Sequence, residues 1–133
     1  MPICMNNSME HDMNIAIIGG NSKIASALIR LLLKETTWNL YVYSMSLQKS
    51  SSERIVYKAI PYSDIKSWKE EFLSIRPEYI INTAAMTNVD ACEEKKQEAW
   101  FANATFVEQL SRIALIIEAH FIHFSTDYVF DGK

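Results

Sequence analysis

The sequence predicts an α/β fold, a doubly wound parallel sheet of about five strands. Three observations point there. Short apolar runs alternate along the chain with longer stretches of helical spacing, and such alternation implies parallel strands joined by right-handed crossovers. The first apolar run breaks at Gly19-Gly20-Asn21-Ser22-Lys23 and passes straight into a helix. The last run, Phe121 to Phe124, is followed at once by Ser125, Thr126, Asp127 and Tyr128. In an open parallel sheet ligands sit beyond the carboxyl ends of the strands, so hydroxyls and a carboxylate there read as a site.

Each element has its own warrant. Residues 1–12 are polar and aperiodic apart from Ile3 to Met5 and read as a flexible leader, which leaves 13–133 as one domain. Met13 to Ile18 is a short, mostly apolar run, a buried strand. Beyond the glycine turn, Ile24, Leu28, Leu31 and Leu32 recur at helical spacing, with Arg30 and Lys34 opposite them. Asn39 to Tyr43 is the second strand, Ser44 to Ser52 a polar loop, and Arg54 to Ile60 the third strand, closed by Pro61. Ser63 or Asp64 caps a helix whose stripe is Ile65, Trp68, Phe72 and Ile75, and Pro77 ends it. Tyr79 to Ile81 starts the fourth strand, and Asn82 to Asp90 is a loop of small and polar residues. One long helix is predicted from about Glu93 to Ala119, with Phe106, Leu110, Ile113 and Ile117 on one face. Asn103 falls on that face, either as a satisfied structural amide or as a brace for the loop after strand four.

Composition narrows the function classes. A chain of 133 residues with 49% hydrophobic and 22% charged residues is a soluble globular domain with a core of its own. The net charge of −3 is spread along the chain with no basic stripe, which argues against a nucleic-acid partner. No apolar run approaches the roughly 18 residues of a membrane span, and the start lacks the pattern of a signal peptide. Cys4 and Cys92 lie far apart and read as reduced thiols of a cytoplasmic protein. Neither they nor His11, His120 and His123 have metal-ligand spacing, so no metal site is predicted.

A dinucleotide turn needs a glycine where the backbone bends, a second where it meets the pyrophosphate, and a small residue where helix packs on strand. Gly19 takes the first place and Ala25 the third, while Ser22 stands where the second glycine belongs. Its hydroxyl adds a donor for a phosphate, or its Cβ pushes the pyrophosphate away; the helix N-terminus offers free N–H groups in either case. Strand two ends in Tyr43-Ser44-Met45-Ser46 with no carboxylate for a ribose 2′-hydroxyl. Lys49 is a weak partner for a 2′-phosphate, so of NADP and NAD the former is slightly favoured. Ala84 and Ala85 let a flat ligand lie against the backbone, and Thr87 adds a hydroxyl at the end of strand four.

Three segments together are more specific: Asn82-Thr-Ala-Ala-Met-Thr-Asn-Val-Asp90-Ala-Cys-Glu93, Asn103-Ala104, and Ser125-Thr-Asp-Tyr-Val-Phe-Asp-Gly132. From about Met13 onward the chain resembles the dTDP-4-dehydrorhamnose reductase family of extended short-chain dehydrogenases/reductases. The resemblance implies a Rossmann-like fold and NAD(P)H-dependent reduction of a nucleotide-linked 4-keto sugar. It implies that Gly19, Asn21, Ser22, Lys23 and Ile24 cradle the pyrophosphate. Ala84 and Ala85 would line the adenosine and ribose side, with Ser44 at the cofactor too and Ser125 near the nicotinamide. Thr87, Val89 and Tyr128 would contact the sugar, Thr126 would hold the substrate carbonyl, and Asn82 and Asn103 would support the site.

The family's proton-donating tyrosine, with a lysine four residues later, lies downstream of the Asp-Gly and so past Lys133. Tyr128 has Gly132 in the lysine's place. The family's sixth strand and substrate-binding segment are likewise absent. The chain is therefore expected to be the N-terminal portion of such an enzyme, inactive alone, and to self-associate through apolar surface around Phe121–Phe130. The rival is a non-catalytic nucleotide-fold protein, like the regulatory subunit of methionine adenosyltransferase, for which the altered glycine turn also speaks.

Overall fold

In the computed structural model the described residues are 12–50 and 52–125. They form one parallel sheet in the order β3-β2-β1-β4-β5. The strands are β1 (Asn14–Ile18), β2 (Asn39–Tyr43), β3 (Ile55–Lys58), β4 (Tyr79–Asn82) and β5 (His120–His123). The order reverses between β1 and β4, which pair from Ile15↔Tyr79 to Ile18↔Asn82. At such a reversal the crossovers leave in opposite directions and open a crevice at the carboxyl edge.

Helices cover both faces. On one lies α1 (Lys23–Glu35), packed over Ile15, Ile17, Leu40, Val42 and Ile55. On the other, α2 (Ile65–Ile75) and α5 (Phe106–Ile117) pack over Ala16, Ile18, Tyr43 and Ile80. Burial from both sides explains why β1 reads as an apolar run rather than an alternation. The second face is held by rings: Trp68 lies 5.6 Å from Phe72 and 5.5 Å from Phe106, both edge-on. Beside them the buried Tyr43 hydroxyl donates to Glu71 Oε1 (2.9 Å), which also takes Lys58 Nζ at 2.6 Å. Burial first, then the Glu71 carboxylate, push the Tyr43 phenol far above its ordinary value, so it stays neutral.

The helix ends follow local chemistry. Asp64, rather than Ser63, caps α2: its carboxylate accepts from Ser67 N (3.1 Å) and Ser67 Oγ (2.7 Å). Those bonds hold the Asp64 carboxyl below its usual range. The end of α1 has no glycine, and Arg54 serves it instead, donating to Leu33 O (2.7 Å) and Thr36 O (2.7 Å).

Two expectations need correcting. The core stripe of α1 is Ala25 and Ile29, flanked by Leu28, Leu32 and Leu33, whereas Ile24 and Leu31 are 47% and 55% exposed. The helix rotates so that the small Ala25 meets the strand, which puts Ile24 and Leu31 outside. The long helix from Glu93 is also not continuous. It starts earlier, as α3 (Val89–Glu94), capped by Asn88 Oδ1 on Ala91 N (3.0 Å). It breaks at Lys95 (φ −119°, ψ 58°), resumes as α4 (Lys96–Trp100), and then opens into a π-turn over Phe101–Thr105 before α5. An extra residue in one turn shifts the helical register, which apolar spacing does not reveal.

Phe106 joins α5 to α2 and to the Tyr62 ring, so Phe106→Ala is expected to cost about 3–5 kcal/mol in urea-induced unfolding. A loss below about 1 kcal/mol would disprove this packing.

Candidate functional site

The crevice at the carboxyl edge is a cleft of about 360 Å³, walled by Gly19, Ser22, Ser44, Tyr62, Ala84 and Met86 among others. Its floor is the first turn. Gly19 has φ +83°, and a Cβ there would lie 2.7 Å from both Ala84 N and Thr83 Oγ1. Gly20 is equally tight, since a Cβ would run into Val42 Cγ1. Both amides donate to Tyr43 O, at 2.9 and 3.0 Å, so the turn is tied to the end of β2 as well as to β4.

Ser22 is the N-cap of α1. Its Oγ accepts from Ala25 N (3.0 Å) and donates to Thr83 Oγ1 (2.9 Å). Thr83 Oγ1 in turn shares its single proton between the carbonyls of Ile18 (2.8 Å) and Gly19 (3.0 Å). The Ser22 hydroxyl is thus committed to the protein and turned towards β4, which decides its geometry. The N–H groups of Lys23 and Ile24 have no acceptor among the described residues. These are the unfilled donors of a helix start, able to hold an anion.

The loop after β4 forms the opposite wall. Asn82, fully buried, accepts Ala84 N on Oδ1 (3.1 Å), while its Nδ2 meets His123 Nδ1 at 3.2 Å. Asn103 sits on the π-turn and clasps the Met86 backbone, accepting its N–H (2.8 Å) and donating to its carbonyl (3.0 Å). Its side chain is exposed and does not point into the sheet. Cys92 Sγ also reaches Met86 O, at 3.3 Å. At the end of β2, Asn21 Nδ2 donates to Ser46 Oγ (2.6 Å) and Gln48 Nε2 to Asn21 Oδ1 (2.9 Å), fastening that loop to the first turn.

Of the residues expected at the site, Gly19, Asn21, Ser22, Ser44, Ala84 and Ala85 line one cleft. Lys23 and Ile24 border it only through the start of α1, their side chains being exposed. Thr87, Val89 and Ser125 are exposed and line neither this cleft nor the adjoining cavity at Tyr62, Met86 and Phe101. Lys49 is exposed with no contact to the cleft. Thr126 and Tyr128, like Cys4 and His11, lie outside the described residues. Among the described residues no cluster of His, Cys, Asp and Glu could hold a metal, and no helix is long and apolar enough to cross a membrane.

Sequence reasoning missed Thr83, Met86 and Tyr62. Thr83 was legible as a hydroxyl between Asn82 and the alanines. Tyr62 was not, because it sits outside the strand ends. Its ring stacks on Phe106 (4.7 Å, 24°), and burial raises its phenol above the ordinary value. Tyr62 and Lys66 have the Tyr-x-x-x-Lys spacing, but Lys66 is 86% exposed and faces Glu70 at 3.9 Å, so the two do not form a donor pair.

The sequence profile of the RmlD substrate binding domain matches residues 13–133. The chain belongs to that family. It is 44% identical over 72 residues to a dTDP-4-dehydrorhamnose reductase of Escherichia coli, covering 54% of this chain and 24% of that protein. A hypothetical dTDP-4-dehydrorhamnose reductase from Sulfolobus tokodaii superposes with a TM-score of 0.76 at 31% identity, over 91% of this chain and 42% of its own. A dTDP-4-dehydrorhamnose reductase from Bacillus anthracis, solved in complex with NADP, gives 0.75 at 25% identity, over 92% and 39%. The chain thus spans about a quarter of that curated relative's length and about two fifths of the solved ones. Over that stretch the sheet is Rossmann-like, as its strand order already showed.

Gly19→Ala places a methyl against the Ala84 backbone at a φ that L residues avoid, so a loss of roughly 2 kcal/mol or more is expected. Ser22→Ala removes only a cap and its link to Thr83, about 1 kcal/mol. Thermal unfolding that ranks Ser22→Ala as the worse of the two would contradict this geometry.

Proposed function

We propose that the chain is the cofactor-binding part of a cytoplasmic NAD(P)H-dependent reductase acting on a nucleotide-linked 4-keto sugar, dTDP-4-dehydro-L-rhamnose in the first instance. One observation carries the cofactor reading. The cleft joins a glycine that cannot bear a side chain to two unfilled N–H groups at the start of α1, beneath a wall of Ala84 and Ala85. These residues fit a dinucleotide: the N–H groups of Lys23 and Ile24 suit its pyrophosphate, and the alanines suit a flat ring and its ribose. The absence of a carboxylate at Ser44-Met45-Ser46 favours NADP over NAD.

The bound cofactor would supply the hydride. This chain's residues bind and orient it: Gly19, Asn21 and Ser22 shape the phosphate turn, and Ser44 flanks the ribose. Asn82 holds Ala84 and Asn103 holds Met86 beside it, and by the family resemblance Ser125 would lie near the nicotinamide. By the same resemblance Thr87, Val89 and Tyr128 would contact the sugar, and the Thr126 hydroxyl would donate to the substrate carbonyl, where charge develops during reduction. A ketone that accepts hydride still needs a proton. Tyr62 and Lys66 face apart, so the 133-residue chain alone is not expected to turn over.

Calorimetry with NADPH and NADH tests the first layer: saturable binding, tighter for NADPH, is expected, and heat of dilution only would overturn it. An assay with dTDP-4-dehydrorhamnose and NADPH tests the second, and turnover by this chain would refute it.

We further propose self-association through β5, an edge strand of the described sheet, where Ile122 and, just beyond the strand, Phe124 are 42% and 43% exposed. Light scattering should show oligomers that Ile122→Lys weakens; a monomer at high concentration would sink the idea.

A further inference from the structure

We propose that His123 is a positioning residue: while its ring is neutral it holds, through Asn82, the Ala84 backbone that walls the cleft. This rests on the reading of that cleft as the cofactor site. The chain of contacts is short. Ala84 N can only donate, and it donates to Asn82 Oδ1 at 3.1 Å. That bond fixes which way the Asn82 amide faces, so its NH₂ points at His123 Nδ1, 3.2 Å away. A bare Nδ1 accepts that proton, which makes the ring the Nε2–H tautomer.

A protonated ring has N–H on both nitrogens. Nδ1–H would then face the NH₂ of the fully buried Asn82, donor against donor, from a ring that is itself only half-buried. Turning the amide over relieves that contact only by setting NH₂ against Ala84 N–H. Either way Asn82 cannot serve both partners. The effect reaches the phosphate turn, because Gly19 lies against Ala84 too closely to admit a Cβ.

The surroundings leave His123 without a charged neighbour among the described residues. From β4 it meets Asn82. The helix packed on β5, α5, turns Phe106, Leu110, Ile113 and Ile117 to the sheet, while its Glu108 and Arg112 pair with each other in solvent. On β5 itself the Phe121 ring lies 6.4 Å away, and His120 faces the opposite side, stacked on Tyr79. Burial, opposed by the Asn82 backbone, holds the imidazole below its ordinary value of 6.5. The sign follows. The clasp is intact above that value and is lost as pH falls through the lower folded-state value.

The test is amide NMR on the 133-residue chain, with NADP binding measured alongside. The Ala84 amide and the Asn82 side-chain amide should shift with pH at the His123 midpoint. In His123→Gln, which keeps an acceptor but does not titrate, both signals should stay at their neutral-pH positions. NADP affinity should fall roughly three- to tenfold more in the wild type than in His123→Gln between pH values about one unit above and one unit below the His123 midpoint, the scale of one lost hydrogen bond. Titration of the cofactor's own phosphate is common to both proteins and cancels. Ala84 signals that ignore the His123 titration, or that move equally in His123→Gln, overturn the proposal. If NADP binds at no pH, the cofactor reading falls, and the Ala84 signal still decides whether His123 positions the wall.

Discussion

The closeness of Gly19 to the Thr83–Ala84 backbone constrains everything around the cleft. Adjacent parallel strands separate as they leave the sheet at a point where the order reverses. Here the pairing runs one residue further, since Thr83 N, just past β4, donates to Ile18 O at 2.9 Å. Thr83 uses its one hydroxyl to bind the carbonyls of Ile18 and Gly19 and to receive Ser22. The turn, the cap of α1 and the β4 loop are therefore one unit. A side chain at residue 19 would drive them apart, and with them the walls that face each other across the cleft.

Ser22 shows how a departure from an expected pattern can be absorbed. A serine in place of a glycine at the first turn brings a Cβ and a hydroxyl to a backbone already tight at Gly19 and Gly20. Here the hydroxyl satisfies Ala25 N and reaches across to Thr83, so it works as a cap and a cross-link at once. The N–H groups of Lys23 and Ile24 are left without an acceptor among the described residues.

The support of the β4 loop is similarly indirect. Asn82 from below and Asn103 from the side each give both ends of an amide, one binding Ala84 and His123, the other both backbone groups of Met86. Apart from Met86 the loop from Thr83 to Thr87 carries only small side chains, so neighbouring polar groups do much to fix its shape. The π-turn is part of that device. By widening the helix at Phe101–Thr105 it brings Asn103 to the loop while Phe106 keeps its place in the core.

Strand positions, parallel direction and the capped start of α2 were all set by local sequence: apolar runs of strand length, helix-spaced stretches between them, and Asp64 three residues before Ser67. Gly19 and the alanine pair were equally legible, since backbone that must approach backbone requires residues without bulk. The face of α1, the break at Lys95, the π-turn and the inclusion of Tyr62 in the cleft were decided only by tertiary structure. Apolar spacing says that a helix has an inside but does not choose among rotations differing by one residue. A loop aromatic such as Tyr62 acquires its neighbours only when α5 brings Phe106 against it.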